Sequence, residues 1–358
     1  MIHPLSFSLN LKQIAIFLFV IFSNNTYSLA QERKDYNIYT VAFYNVENLF
    51  DTEDDPITFD DDRTPLGKDL WTVEKYQDKI KNIAKVISEI GKQTTNTAPT
   101  IIGLCEVENL QVLEDLVKNP LIAKFNYQIV HYDSPDRRGI DVALLYQSSL
   151  FTLNESQSKR LLIYELEDPT KRVYTRDQLV VSGSLNGEEI HLIVNHWPSR
   201  GGGEAKTNYR REKAAQLNNE IIDSIYQKNP YSKIISMGDF NDGPNNKSFK
   251  KVLKTSNDRQ TISVQELYNP MEILSKNGIG SLAYRDGWNL FDQILVSESL
   301  LGSRGGLQFY QAAIFNMPYL ITLSGQYRGY PFRSYDYSGY TGGYSDHFPV
   351  YMYLVTEE

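Results

Sequence analysis

Asparagine, acidic residues and histidine recur in this sequence at the ends of short apolar runs. Asn45 follows Ile38 to Tyr44, Glu106 follows Thr100 to Cys105, Asn195-His196 closes Ile190 to Val194, and Asp239 and Asn241 follow Ile234 to Met237. Asp292 and Asp346-His347 stand just ahead of two further runs, Gln293 to Val296 and Phe348 to Leu354. Carboxylates, carboxamides and two histidines without paired thiols suit a hard, oxygen-preferring divalent cation with general acid and base groups beside it. Magnesium fits such a sparse set best, because it keeps several waters and takes one or two protein carboxylates together with substrate phosphate oxygens. The chemistry implied is hydrolysis of a phosphate ester.

Other chemistries lack their residues. The sequence has no G-x-S-x-G elbow, no H-E-x-x-H, no Walker loop and no G-x-G-x-x-G after a strand. A single cysteine, Cys105, excludes an internal disulfide and a cysteine-rich zinc module. Between Leu104 and Glu106 it reads as a small buried hydrophobe.

The elements that must position these groups are legible from their pattern. The apolar runs read as buried strands, and ligands in α/β sheets gather outside the carboxyl ends of strands, where side chains of several strands converge. Asp292 and Asp346-His347 reach the same edge only if their strands run antiparallel to the others. Tyr76, Ile80, Ile83, Ala84, Ile87 and Ile90 predict a helix over Val73 to Ile90 that stops at Gly91, and a second helix is expected around Glu212 to Tyr226. Asn186-Gly187 between Leu179–Leu185 and His191–Asn195 is a strong hairpin signal, so part of the sheet is antiparallel. Long loops are expected from about Met271 to Tyr344, a stretch dense in glycine and tyrosine.

The chain has 358 residues, 41% hydrophobic and 22% charged, which describes a globular protein with a sizeable core. Its net charge of −8 removes any global basic field, so contact with a polyanion has to be local. Residues 1–30 carry one charged side chain, Lys12, then the apolar run Ile14 to Phe22 and Ser28-Leu29-Ala30. That is the pattern of a secretory signal peptide, too short in its apolar part for a membrane anchor. The expectation is a secreted or periplasmic protein with one catalytic domain over 31–358.

Six segments in order resemble the endonuclease/exonuclease/phosphatase superfamily, and within it the deoxyribonuclease-like branch. They are Phe43-Tyr44-Asn45-Val46-Glu47, Leu104-Cys105-Glu106-Val107-Glu108, Val194-Asn195-His196, Gly238-Asp239-Phe240-Asn241, Phe291-Asp292-Gln293-Ile294 and Ser345-Asp346-His347-Phe348-Pro349-Val350. The resemblance implies an α/β fold, a four-layer α/β/β/α sandwich of two mixed sheets flanked by helices. It implies Mg²⁺ or Mn²⁺ held by Glu106, with Asp346 and Glu47 in the metal shell. Glu47 stands where part of the family has an aspartate. His196, Asp239, Asn241, Asp292 and His347 match catalytic positions, with Asp292 fixing the tautomer of His347. Asn45 and Arg176 match substrate-binding positions.

The activity implied is a metal-dependent phosphodiesterase, a nuclease hydrolysing DNA, with RNA as a second polynucleotide. The alternatives are a phospholipid headgroup or a phosphorylated small molecule as substrate, and a non-catalytic secreted binding protein. No stable protein partner is implied. Ser199-Arg200-Gly201-Gly202-Gly203 reads either as a phosphate-gripping loop or as a connector. Tyr327 to Tyr344, with Arg328 and Arg333, has a composition able to stack bases and hold phosphates. The bland alternative is a packed loop.

Overall fold

The computed structural model describes residues 35–302 and 304–358; the expected leader, residues 1–30, lies outside the described residues. Strands β1 (Tyr36–Leu49), β2 (Ile101–Val107), β3 (Tyr127–His131) and β4 (Asp141–Gln147) belong to one sheet. The chain then builds a second sheet from β5 (Phe151–Lys159), β6 (Gln178–Leu185), β7 (Glu188–His196), β8 (Lys233–Asp239), β9 (Leu267–Tyr268) and β10 (Asp292–Ser297). It returns to the first with β11 (Gln308–Ile314) and β12 (Val350–Glu357). The strand orders are β11-β12-β1-β2-β4-β3 and β9-β10-β8-β7-β6-β5. Both sheets are mixed: β1 and β2 are parallel, as are β7 and β8, while β12 and β10 run antiparallel to their neighbours β1 and β8. That reversal brings Asp292 and Asp346-His347 to the edge where the other strands end.

Alternation along the strands makes the layers. Val41 and Phe43 pack between the sheets with Val194, Ile235, Met237 and Ile294. Ala42 and Tyr44 face the other way, onto Ile83, Val86 and Ile87 of helix α1 (Val73–Glu89) and onto helix α2 (Leu110–Lys118). On the far side Val180, Ile193, Ile234 and Leu295 are covered by Ala214, Ile221 and Ile225 of helix α3 (Glu204–Lys228). The result is the expected four-layer sandwich.

Local signals hold where the expectation used them. α1 ends beside Gly91, whose φ of 74° is the left-handed conformation a helix stop needs. Asn186 (φ 51°) and Gly187 (φ 77°) form the β6–β7 turn, both left-handed as a two-residue hairpin loop requires. α3 starts eight residues before the expected position, because its first turns, Glu204 to Arg211, are polar and show no apolar period. Among the described residues no helix is long and apolar enough to cross a membrane.

Candidate active site

Asn45, at the point where β1 leaves regular pairing with β2, joins the two sheets. Its Nδ2 donates to Glu106 Oε1 at 3.3 Å and to Asp239 Oδ2 at 3.1 Å, and its Oδ1 accepts from the backbone N–H of Glu47 at 3.0 Å. Glu106 sits in a bulge of β2. Pairing shifts between Cys105 and Val107, and Glu106 has φ 62°. Cys105 faces the space between the sheets, so strict alternation would aim Glu106 at the helix layer; the bulge turns its carboxylate towards Asn45 and His196. Glu47 (φ 50°), Asn48 (φ 54°) and Asn241 (φ 50°) are left-handed as well. Non-glycine residues in that region cost of order 1 kcal/mol or more each, and such strain gathers at functional sites. Asn48 uses it to donate its backbone N–H to Glu106 Oε2 at 3.0 Å.

The second sheet contributes a row. His196, Asp239 and Asp292 are register partners across β7, β8 and β10. His196 Nε2 lies 3.7 Å from Asp239 Oδ2 and 3.8 Å from Glu106 Oε1, too far for hydrogen bonds, and its Nδ1 is buried without a partner. Burial, followed by the positive charges of Arg176, Arg138 and His347, holds this imidazole well below its ordinary pKa. His347 goes the other way. Burial would lower it, but the Asp292 carboxylate, 2.6 Å from Nδ1, raises it well above the ordinary value. Asp292 is itself held by the Ser281 hydroxyl, and Ser345 Oγ accepts from the backbone N–H of His347 while donating to the Asn45 carbonyl. Two histidines on one carboxylate cluster thus have opposite protonation preferences, the pattern that separates a base from an acid.

Asp239 accepts the backbone N–H of Asn241 at 2.9 Å, and burial, then the charge of Asp292, pushes its carboxyl up to about 7. Among the described residues no lysine or arginine pairs with Glu106 or Asp239. Oxygen donors crowded without a lysine or arginine partner fit a hard divalent cation, which Glu106 and Asp239 would hold with the Asn45 amide beside them. A divalent cation supplies Lewis-acid stabilisation of the charge on phosphate oxygens.

Three expected site residues have other partners here. Glu47 is buried and its carboxylate faces Arg333 and the backbone N–H of Ser334, 2.6 Å away, rather than Glu106. Asp346 borders the site, with Oδ1 3.9 Å from His347 Nε2, yet its Oδ2 lies 3.3 Å from Arg333 Nη2. Arg176 is 4% exposed, paired with Asp136 at 2.9 Å and donating to the Trp197 carbonyl at 2.7 Å. It supports from behind the strand end that carries His196. Asn195 is a core pin, bonded to Ser236, Trp197 and Asn218. Arg200 of the glycine-rich loop is tied to the Asn241 carbonyl, Asp242 and Glu204, so that loop buttresses Asn241. Ser281 and Asp136 carried no sequence signal, since each acts through a partner distant in the chain.

A cleft of about 1160 Å³ borders the cluster at Asn241 and Asp346, and is lined also by Arg200, Tyr284, Tyr327 and Arg333. Of the tyrosines in 327–344, Tyr335 and Tyr340 pack on Trp71 while Tyr337 is exposed.

Among solved structures, D. rerio TDP2 complexed with a single-strand DNA product is similar over 89% of this chain and 99% of its own, at 14% identity and TM-score 0.51. The human Nocturnin catalytic domain matches over 91% and 98%, at 17% identity and TM-score 0.52. A mannosyl-6-phosphatase of Bacteroides thetaiotaomicron matches over 88% and 99%, at 17% identity and TM-score 0.52. At these identities the likeness is one of fold. No curated protein matches the sequence. A family model does, along residues 40–356, the stretch that carries both sheets and all the clustered side chains. With that match across nearly the whole described chain, the protein belongs to the Endonuclease/Exonuclease/phosphatase family.

Proposed function

We propose that this protein is a secreted, Mg²⁺- or Mn²⁺-dependent phosphodiesterase of the deoxyribonuclease-like kind, a nuclease hydrolysing DNA and also RNA. The observation that carries the reading is the Asn45-centred pair Glu106 and Asp239 with His196 and His347 on its two sides. Neutral His196, its Nε2 facing the carboxylates, accepts the proton of the attacking water. Cationic His347, fixed by Asp292, presents Nε2 to the leaving oxygen and stabilises or protonates it. Asn241, whose Nδ2 donates to the Trp197 carbonyl, keeps its second amide N–H for a phosphate oxygen, and the turn that carries it is braced by Arg200. Exposed rings around the cleft suit stacking of bases, and the TDP2 relative is seen with a single-strand DNA product. Secretion rests on residues 1–30.

A second reading, a small phosphorylated molecule or lipid headgroup, is favoured by one observation. Arg200, the cleft arginine bonded to Asn241, is already paired with Asp242 and Glu204, so it adds no free cation to the cleft for a long polyanion. Supercoiled plasmid nicking by protein starting at Gln31, with Mg²⁺, Mn²⁺ or EDTA and beside Glu106→Gln and His196→Ala, separates the readings. Metal-dependent nicking lost in both variants supports the nuclease. Intact plasmid with folded protein, together with release of product from sphingomyelin, inositol phosphates or sugar phosphates, supports the second.

A further inference from the structure

Arg333 has no part in the chemistry assigned above, yet it lines the cleft beside Asp346. Its Nε and Nη2 lie 3.3 Å from Glu47 Oε1, and Nη2 lies 3.3 Å from Asp346 Oδ2. Nη1 has no hydrogen-bond acceptor among the described residues. Glu47 is held in turn by the backbone N–H of Ser334, and the fully buried Lys79 donates to Ser334 Oγ and to the Tyr344 carbonyl. Two carboxylates and two cations therefore balance. This differs from Glu106 and Asp239, which have no lysine or arginine partner among the described residues. The charge of Glu47 and Asp346 is spent on holding a guanidinium.

We propose that Arg333 is a phosphate-recognition residue, taking the phosphate next to the scissile one on a polynucleotide strand; this rests on the nuclease reading. A loop clamp would bury its guanidinium, but the Arg333 side chain is 41% exposed and lines the cleft. Two carboxylates hold Nε and Nη2 and leave Nη1, a charged donor, for an oxyanion. The distance is suitable as well. Asp346 alone separates Arg333 from the acid, with Oδ2 3.3 Å from Nη2 and Oδ1 3.9 Å from His347 Nε2, a span on the scale of one nucleotide step. Next to Arg333 the rings of Tyr327 and Tyr337 stack at 6.3 Å and 28°, and Tyr337 is 92% exposed, offering a face to the base that follows. The segment is preorganised by Lys79, Ser334 and the Thr341 hydroxyl, which donates to the Arg333 carbonyl, so little ordering opposes binding.

The test uses equilibrium binding in EDTA, where no hydrolysis occurs. A fluorescent single-stranded hexanucleotide and a series with one linkage at a time replaced by neutral methylphosphonate are titrated against wild type, Arg333→Gln and Arg333→Lys. All three proteins are checked for native circular dichroism and melting. Wild type is expected to lose about 10-fold in affinity when one particular linkage is neutral. Arg333→Gln should bind the unmodified strand about as weakly, be indifferent to that linkage, and show a salt slope smaller by about 0.7. Arg333→Lys should recover part of the affinity. An Arg333→Gln protein that weakens binding equally at every linkage, or not at all, overturns the proposal. Wild type that binds none of the strands in EDTA and also leaves supercoiled plasmid intact with Mn²⁺ overturns the nuclease reading itself, a result distinguishable from the former. Wild type that nicks plasmid yet binds no strand in EDTA overturns the proposal, because Arg333 then gives no metal-independent hold.

Discussion

Replacing Asp292 by asparagine keeps the shape of the β10 edge and removes one charge. In the native protein Asp292 Oδ2 sits 2.6 Å from His347 Nδ1, and both groups are buried. A hydrogen bond to a charged group contributes about 1.5–3 kcal/mol. If it is needed to hold the cationic, correctly turned imidazole, its loss slows the chemical step about 10- to 150-fold. The sign of the pH effect follows from two groups. His347 is raised by Asp292, so the form carrying its proton persists through neutral pH and activity falls as pH rises through its folded pKa; without Asp292 that fall moves to lower pH. Asp239 is raised to about 7 by burial and then by Asp292, so removing that charge lets it ionise at lower pH as well. The whole rate–pH bell should shift towards acid. The assay is kcat against pH for wild type and Asp292→Asn, with an NMR titration of the His347 ring proton as a readout independent of turnover. A bell that keeps its position, or a His347 resonance that titrates as in wild type, would refute the reasoning.

Metal binding should be visible without turnover: at 100 times its dissociation constant, Mn²⁺ stabilises the fold by about 2.7 kcal/mol, and Glu106→Gln should lose that melting shift while Glu47→Gln retains it. Asp136→Asn strands the buried charge of Arg176 and is expected to cost about 3–5 kcal/mol, measured by urea denaturation. Against burial, which alone would raise it, Arg176 and Arg138 hold the Asp136 carboxyl below its ordinary value. Its stabilising contribution is therefore present above the unfolded carboxylate pKa and lost as pH falls through the folded one. Gly238→Ala would bring a Cβ 2.2 Å from the Asn195 carbonyl oxygen of the adjacent strand. A loss of about 3 kcal/mol, a melting decrease on the order of 5–10 °C by calorimetry, is expected.

Strands with buried faces were legible because their apolar runs are unbroken, and their polar terminators located the site. Edge strands were not. β5, Phe151–Lys159, is mostly polar because only Phe151 in it is buried, and β11, Gln308–Ile314, lies at the margin of its sheet in a stretch that reads as loop. The gathering of Asn45, Glu106, His196, Asp239, Asp292 and His347 was readable as a set of strand ends. The partners of Glu47 and Arg176 were not. Position along a strand shows which edge a side chain reaches, whereas Arg333 and Asp136 arrive from loops 286 and 40 residues away in sequence, through contacts that no local pattern encodes.

In the function proposed above, Glu106 and the two histidines form one metal-dependent hydrolytic centre. Hydrolysis of bis(p-nitrophenyl) phosphate tests it apart from any choice of natural substrate. Turnover by wild type with Mn²⁺, stopped by EDTA and abolished in Glu106→Gln, His196→Ala and His347→Asn proteins that melt as wild type does, is the predicted result. Turnover that survives EDTA, or that persists in Glu106→Gln, would contradict it.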